Sequence, residues 1–121
     1  MLQIKNEFLY LDVFNIDKYV ETRGYIYLLI DSSFPDYVKV GRAFNLTDRL
    51  NSYNDDKPFA TCKYIAISSC FSNVQLVEKE ILATAKFNTA TARLEWFNID
   101  KLDTLKDLIV QMESKHDTIP L

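Results

Sequence analysis

The chain has 121 residues, of which 48% are hydrophobic and 13% aromatic, with two glycines and three prolines; this composition predicts one packed globular domain rather than a disordered or fibrous chain. A net charge of −3 and a pI near 5.1 argue against the basic surface of a dedicated nucleic-acid binder. The longest apolar run, YIYLLI, is too short to span a bilayer, and the N-terminus lacks a signal-peptide layout. We therefore expect no membrane association and a soluble intracellular protein, in the cytoplasm or the nucleus of a host.

The first elements of the predicted domain are two strands joined by a turn. GYIYLLI at 24–30 is dense in aromatic and branched residues, and YVKVG at 37–41 alternates between two faces. Tyr25 and Tyr27 share one face of the first strand, and Lys39 lies in the middle of the second. The simplest interpretation is core aromatics and a solvent-facing lysine, unless this face lines a cleft.

A short helix follows the hairpin. Asn45 is a typical N-cap, and the helix that it begins carries Arg49 and Tyr53 one turn apart. Together with Lys39 and Arg42, Arg49 places three cations near one bend of the chain. Such a cluster favours a phosphate-binding role, and the alternative is a strand-to-helix corner without a ligand.

The second half of the chain predicts another strand, two helices and a short strand between them. The alternating segment 60–69 is a strand, 72–87 is a helix that opens with a capping box at Ser72, and 100–114 is an amphipathic helix. ARLEWFNI at 92–99 is a short edge strand or an extended segment. The pattern predicts an α/β (α+β) fold with a small, mainly antiparallel three-stranded sheet flanked by helices.

Three regions are expected: an N-terminal extension at 1–22 packed on the domain, the domain itself at 23–115, and a flexible tail at 116–121. One internal echo links LDVFNIDK at 11–18 with LEWFNIDK at 94–101. Our preferred interpretation is a shared local device, in which an extended stretch ends in Asn and Asp that cap a helix. A duplicated fragment of a neighbouring domain is the alternative.

Residues that often carry chemistry are scarce. Cys62 and Cys70 are too few for a structural zinc site and are expected to be small buried hydrophobes. His116 is the single histidine and is expected to be solvated in the polar C-terminal segment. Any catalysis must therefore proceed without histidine, cysteine pairs or an organic cofactor.

Glu78 is the acidic residue that stands out. On the helix at 72–87 it shares a face with Val74, Ile81 and Ala85, where burial of a lone carboxylate is costly unless a cation or hydrogen-bond donors meet it. A metal ion would explain its position. A carboxylate at the edge of the apolar stripe, reaching water, explains it equally well.

Five short motifs occur in a consistent order: GYIYLLI, then YVKVG, an arginine eight residues after that glycine, VEKEIL within a helix, and EWF. Together they resemble a GIY-YIG nuclease domain, in particular the phage and large-virus branch whose domains end in a Glu-Trp-Phe signature. The resemblance covers about residues 23–100. It implies a GIY-YIG-like fold.

The resemblance also implies a catalytic set. Tyr27 matches the tyrosine of the first motif and would be the general base, and Lys39 stands at the first position of the second motif, where it would favour the phenolate or hold the water. Arg49 matches the helix arginine that donates to phosphate. Glu78 matches the glutamate that binds Mg²⁺ or Mn²⁺.

A second set would contact DNA or its phosphates. Gly41 would allow the backbone to approach a phosphate, and Arg42 would extend a positive rim. Tyr53 stands where many relatives have histidine, and Tyr25 shares the strand face of the general base. The late asparagine of other branches has Asn88 and Asn98 as candidates, the former beside the helix at 72–87.

The function that the resemblance implies is a Mg²⁺-dependent endonuclease that hydrolyses DNA phosphodiester bonds. The alternative is a catalytically inactive GIY-YIG-like module that binds nucleic acid or protein, which the acidic net charge favours. A third possibility is a subunit that acquires DNA affinity by forming a homodimer or from a DNA-binding partner subunit.

Overall fold

The computed structural model describes residues 22–87 and 95–120. Residues 1–21 of the predicted extension, including the first copy of the echo, lie outside the described residues, as does Asn88. In chain order the elements are β1 (Tyr25–Asp31), β2 (Tyr37–Ala43), α1 (Leu46–Asn54), β3 (Cys62–Ile67), β4 (Cys70–Phe71), α2 (Val74–Phe87), β5 (Trp96–Asn98), a 3₁₀ turn (Ile99–Lys101), α3 (Leu102–Lys115) and β6 (Thr118–Ile119).

The main sheet has four strands in the order β3-β1-β2-β5, and each neighbouring pair is antiparallel. This confirms the predicted α+β class with an antiparallel sheet. The sheet has one strand more than the three predicted, because Trp96–Asn98 within 92–99 pairs with β2 as a strand. In the hairpin, Tyr27 lies directly opposite Gly41 and Leu29 opposite Lys39.

The alternation of β1 and β2 divides the core between the two faces of the sheet. One face carries Ile26, Leu28 and Val40 and packs against α2 and α3. The other carries Tyr27 and Leu29 and packs against apolar residues of α1. The sheet is thus a middle layer, and a site at its edge can draw side chains from helices on both sides.

Local capping explains where the helices begin. The predicted cap Asn45 accepts a hydrogen bond from the Asp48 backbone N–H at 3.0 Å, and Asn98 in the second copy of the echo caps the 3₁₀ turn in the same way. The prediction for α2 was wrong by one residue. The side chain of Asn73, not that of Ser72, accepts from a first-turn N–H, because α2 begins at Val74.

The C-terminal segment differs from the predicted flexible tail. Thr118–Ile119 forms β6, which pairs with β4 in a small second sheet. His116, expected to be solvated, lies 2.9 Å from a carboxylate oxygen of Glu80, which also binds Lys115. These tertiary contacts with α2 hold a segment whose polar composition suggested a solvated chain end.

Two further predictions concern the cysteines and membrane-spanning segments. Cys62 and Cys70 are free and buried, as predicted for small hydrophobes. Among the described residues, no helix is both long enough and apolar enough to cross a membrane.

Candidate active site

The edge of β2 is covered by β5 along only part of its length. The pairing of β5 reaches Lys39, and the next backbone N–H, that of Val40, donates to the carbonyl of Glu95. Within the described part of the chain, no strand pairs with the outer edge of β2 beyond this point. The sheet edge at Gly41–Ala43 therefore faces a depression between α1 and α2.

A cavity of about 150 Å³ lies at this edge, open to solvent. Because a bound water needs about 10–15 Å³ of such space, several waters or a phosphate group fit. It is lined by Tyr27, Gly41, Arg42, Arg49, Tyr53, Glu78 and Glu95. The predicted general base, phosphate-binding arginine and metal-binding glutamate, which are far apart in the sequence, thus meet in one concavity.

Tyr27 forms the floor of the cavity and is fully buried. Its hydroxyl lies 2.7 Å from the hydroxyl of Tyr53, and the two rings meet edge to face. Burial, reinforced by the hydrogen bond to Tyr53, raises the pKa of Tyr27 well above that of a free phenol, while the nearby Arg49 guanidinium acts in the opposite direction. The resting phenol is therefore neutral.

Gly41 makes the position of Tyr27 possible. A Cβ at Gly41 would lie 2.3 Å from both Cζ and the hydroxyl oxygen of Tyr27. The phenol thus occupies the volume that any other side chain would fill. This gives the glycine a packing reason to be there, in addition to the predicted approach of backbone to phosphate.

Glu78 reaches the cavity from α2 and meets Arg42 of β2. The Arg42 Nε lies 2.9 Å from a Glu78 carboxylate oxygen, and the Glu78 side chain is only 13% exposed, against 42% for Arg42. Burial raises the pKa of Glu78, the hydrogen bond from Arg42 lowers it, and the nearby charge of Glu95 raises it again. The lone carboxylate noticed in the sequence is therefore paired, although with an arginine rather than solvent.

Glu95 is a cavity residue to which the sequence analysis assigned no role. Its carboxylate lies 2.6 Å from the Lys39 ammonium. The ammonium lies 5.6 Å from the centre of the Trp96 ring and 6.0 Å from that of Tyr53. Glu95 is the first residue of the Glu-Trp-Phe signature, so the motif itself was the signal that could have identified it.

The predicted site residues fall into two groups. Gly41, Arg42 and Tyr53 line the cavity beside Tyr27, Arg49 and Glu78. An Arg49 terminal nitrogen donates to the Arg42 carbonyl at 3.3 Å. Lys39 and Tyr25 do not line it. Lys39 instead contacts two cavity residues, binding the Glu95 carboxylate and lying near the Tyr53 ring. The three cations expected at the bend are divided, since two of them bind carboxylates.

The cavity offers two carboxylates as metal ligands, Glu78 and Glu95. The described residues contain no group of three or more histidine, cysteine, aspartate or glutamate side chains placed to hold a metal ion. This set suits Mg²⁺ or Mn²⁺ rather than Zn²⁺, because Mg²⁺ keeps several waters and usually takes one or two carboxylates plus substrate oxygens. The donor chemistry therefore fits the ion implied by the resemblance.

The protein is a small α+β domain with a polar pocket at one edge of its sheet, and Tyr27 lies at the base of that pocket. Residues 24–113 match the T5orf172 domain, and the chain belongs to that family. No curated protein and no solved structure matches it significantly.

Proposed function

We propose that this T5orf172 domain is a Mg²⁺-dependent endonuclease of the GIY-YIG type that cleaves DNA. The observation that carries the proposal is the convergence of Tyr27, Arg49 and Glu78 on one solvent-open cavity. Phosphodiester hydrolysis needs an activated water, neutralisation of charge on the phosphate oxygens and stabilisation of the leaving oxygen. These three side chains have the chemistry for such a site.

Glu78 would hold the metal ion, with Glu95 as the second available carboxylate. When bound, Mg²⁺ supplies charge neutralisation and polarises the phosphate group. Arg49 donates from a planar fork that suits two phosphate oxygens, and its contact with the Arg42 carbonyl holds the guanidinium at the cavity edge. Loss of one such donor typically costs about a hundredfold or more in rate.

Tyr27 would accept the proton of the attacking water at its hydroxyl oxygen. Because burial opposes a phenolate, the proton that Tyr27 already carries must leave as the new one arrives. The Tyr53 hydroxyl, 2.7 Å away and in a half-buried residue, is placed to accept it and pass it to solvent. In this arrangement Tyr27 relays a proton without forming a stable anion.

The family assignment adds support, since T5orf172 is a phage-associated domain often linked to nuclease-type domains. DNA is the substrate we propose, and the cytoplasm or the nucleus of a host is the location we propose. Because the net charge of the chain is −3, we propose that DNA affinity is increased by a homodimer or by a DNA-binding partner subunit.

The test is conversion of supercoiled plasmid to its nicked form in Mg²⁺. We expect nicking by the wild-type protein, abolition by chelation, and at least about a hundredfold loss in Glu78→Gln. Lys79→Gln is the matched control, because Lys79 is the exposed neighbour of Glu78 on α2. Nicking that survives unchanged in Glu78→Gln would refute the metal-ligand assignment.

A second candidate function is a cleavage-incompetent module that binds nucleic acid or protein. The observation that favours it is the saturation of both cavity carboxylates by cations, Glu78 by Arg42 and Glu95 by Lys39. This candidate predicts DNA or protein binding with no nicking in Mg²⁺ or Mn²⁺. The same plasmid assay, run beside a DNA-binding titration, separates the two functions.

A further inference from the structure

We propose that Arg42 is an exchangeable counter-ion of Glu78, which the divalent cation displaces and which then binds the substrate phosphate. The inference rests on the proposed function, because it concerns the same cavity and the same ion. It assigns Arg42 two successive partners. The residue would therefore oppose metal binding and favour phosphate binding.

The first step is that Arg42 binds a carboxylate oxygen of Glu78 that a metal ion could use. Its Nε lies 2.9 Å from a carboxylate oxygen of Glu78, which is the ligand offered to the cavity. A divalent cation bound to that carboxylate would lie within a few ångströms of the guanidinium, and like charges at such a separation repel strongly in a partly buried site. This repulsion favours release of one of the two cations from Glu78.

The second step is that Arg42, not Glu78, has room to move. The glutamate side chain is 13% exposed and comes from a helix packed on the sheet, whereas the arginine side chain is 42% exposed at the sheet edge. A long exposed side chain changes rotamer at small cost. The exchange therefore requires no backbone motion.

In the second ion pair of the cavity, Lys39–Glu95, the cation is held in place by its surroundings. The Lys39 side chain is only 14% exposed, and its ammonium lies near the rings of Tyr53 and Trp96 while it binds Glu95. Lys39 is held by three neighbours. Because Arg42 has no comparable enclosure, it is the cation of the two that can be exchanged.

The third step is that the released Arg42 guanidinium can bind the substrate phosphate. Arg42 and Arg49 line the same cavity, and Arg49 already contacts the backbone of Arg42. A phosphodiester entering the cavity would meet two guanidinium forks, each suited to a pair of phosphate oxygens. Binding to the phosphate would thus replace the ion pair that Arg42 loses when the metal ion binds Glu78.

The test compares metal affinity with cleavage in Arg42→Gln. Mn²⁺ affinity is measured without DNA, by the loss of the free-ion electron paramagnetic resonance signal, and single-turnover nicking is measured at saturating metal. We expect the variant to bind Mn²⁺ about two- to fivefold more tightly, the effect of removing a partly exposed ion pair. We expect its nicking rate to fall by about tenfold to a hundredfold.

Two further variants make the test specific. Lys79→Gln removes a charge one residue from Glu78 without touching the cavity, and it should leave the Mn²⁺ affinity within about twofold of wild type, because the exposed Lys79 charge is screened. Arg42→Lys keeps the charge and loses the fork, so its Mn²⁺ affinity should fall between those of wild type and Arg42→Gln. Circular dichroism and urea unfolding confirm that each variant is folded.

Equal or weaker Mn²⁺ binding in folded Arg42→Gln would overturn the inference, because it would mean that the arginine positions the carboxylate. This failure is distinguishable from failure of the proposed function. If the wild-type protein binds Mn²⁺ but does not nick DNA, the endonuclease proposal fails while the affinity comparison still tests the exchange. If the wild-type protein nicks DNA but does not bind Mn²⁺ in its absence, the exchange alone is refuted, and if it neither binds Mn²⁺ nor nicks DNA, both proposals are refuted.

Discussion

Replacement of Gly41 by alanine is the sharpest test of how the site is built. The new Cβ would lie 2.3 Å from Cζ and the hydroxyl oxygen of Tyr27 and 2.6 Å from Cε1, where ordinary contacts begin near 3.4 Å. Tyr27 is fully buried, so the ring cannot move aside freely. Either the hairpin must open slightly or the phenol must leave its place.

Overpacking of this kind costs about 1–3 kcal/mol, and loss of the Tyr27–Tyr53 hydrogen bond costs about 1 kcal/mol more. We therefore expect Gly41→Ala to lower the free energy of unfolding by about 2–4 kcal/mol. At a typical urea dependence of about 2 kcal/mol per molar, the unfolding midpoint should fall by about 1–2 M. The same change should suppress nicking.

A double-mutant cycle isolates the cause. Tyr27→Leu removes the ring atoms that the new Cβ would meet, so Gly41→Ala should cost less than about 0.5 kcal/mol in that background. An equal cost in both backgrounds would refute the reasoning, because the glycine requirement would then come from its own backbone and not from the tyrosine. The assay is equilibrium urea unfolding followed by circular dichroism.

Three further outcomes are expected. Tyr53→Phe removes the proton acceptor of Tyr27 and should slow nicking by about a hundredfold, the usual size of a proton-transfer contribution, with a change in the pH–rate profile. Asn45→Ala should cost about 1 kcal/mol of stability in urea unfolding by removing the α1 cap, whereas Asn51→Ala on the exposed face of the same helix should cost little. Hydrogen bonding to a backbone N–H holds the pKa of Asp31 below its usual range, against the opposing effect of burial. Its contribution to stability should therefore be complete above about pH 4 and be lost as the pH falls further, a loss that Asp31→Asn should lack when urea midpoints are compared across pH.

Local patterns predicted most of the fold. The alternation of β1 and β2, the apolar stripe of α2 and the cap at Asn45 are short-range features, so they could be recognised without tertiary information. The pairing of β4 with β6 could not, because two-residue strands carry no periodicity and depend on contacts between distant segments. The His116–Glu80 contact is of the same kind.

Most residues that line the candidate site could be predicted from the sequence, but their pairing could not. The apolar neighbours of Glu78 on its helix indicated a buried carboxylate that needs a partner, and Arg42 is that partner. Nothing in the sequence identified which cation it would be, because β2 and α2 meet only in the folded chain. Glu95 belongs to the recognised Glu-Trp-Phe signature, but its pairing with Lys39 exists only in the folded chain.

The most direct test of the central claim is a crystal soaked in Mn²⁺ and measured at an anomalous wavelength. We expect one Mn²⁺ coordinated by the Glu78 carboxylate, in the cavity that Tyr27 and Arg49 line, with the Arg42 guanidinium moved away from the carboxylate. Mn²⁺ bound elsewhere, with Glu78 still paired to Arg42 in protein that nicks DNA, would contradict it.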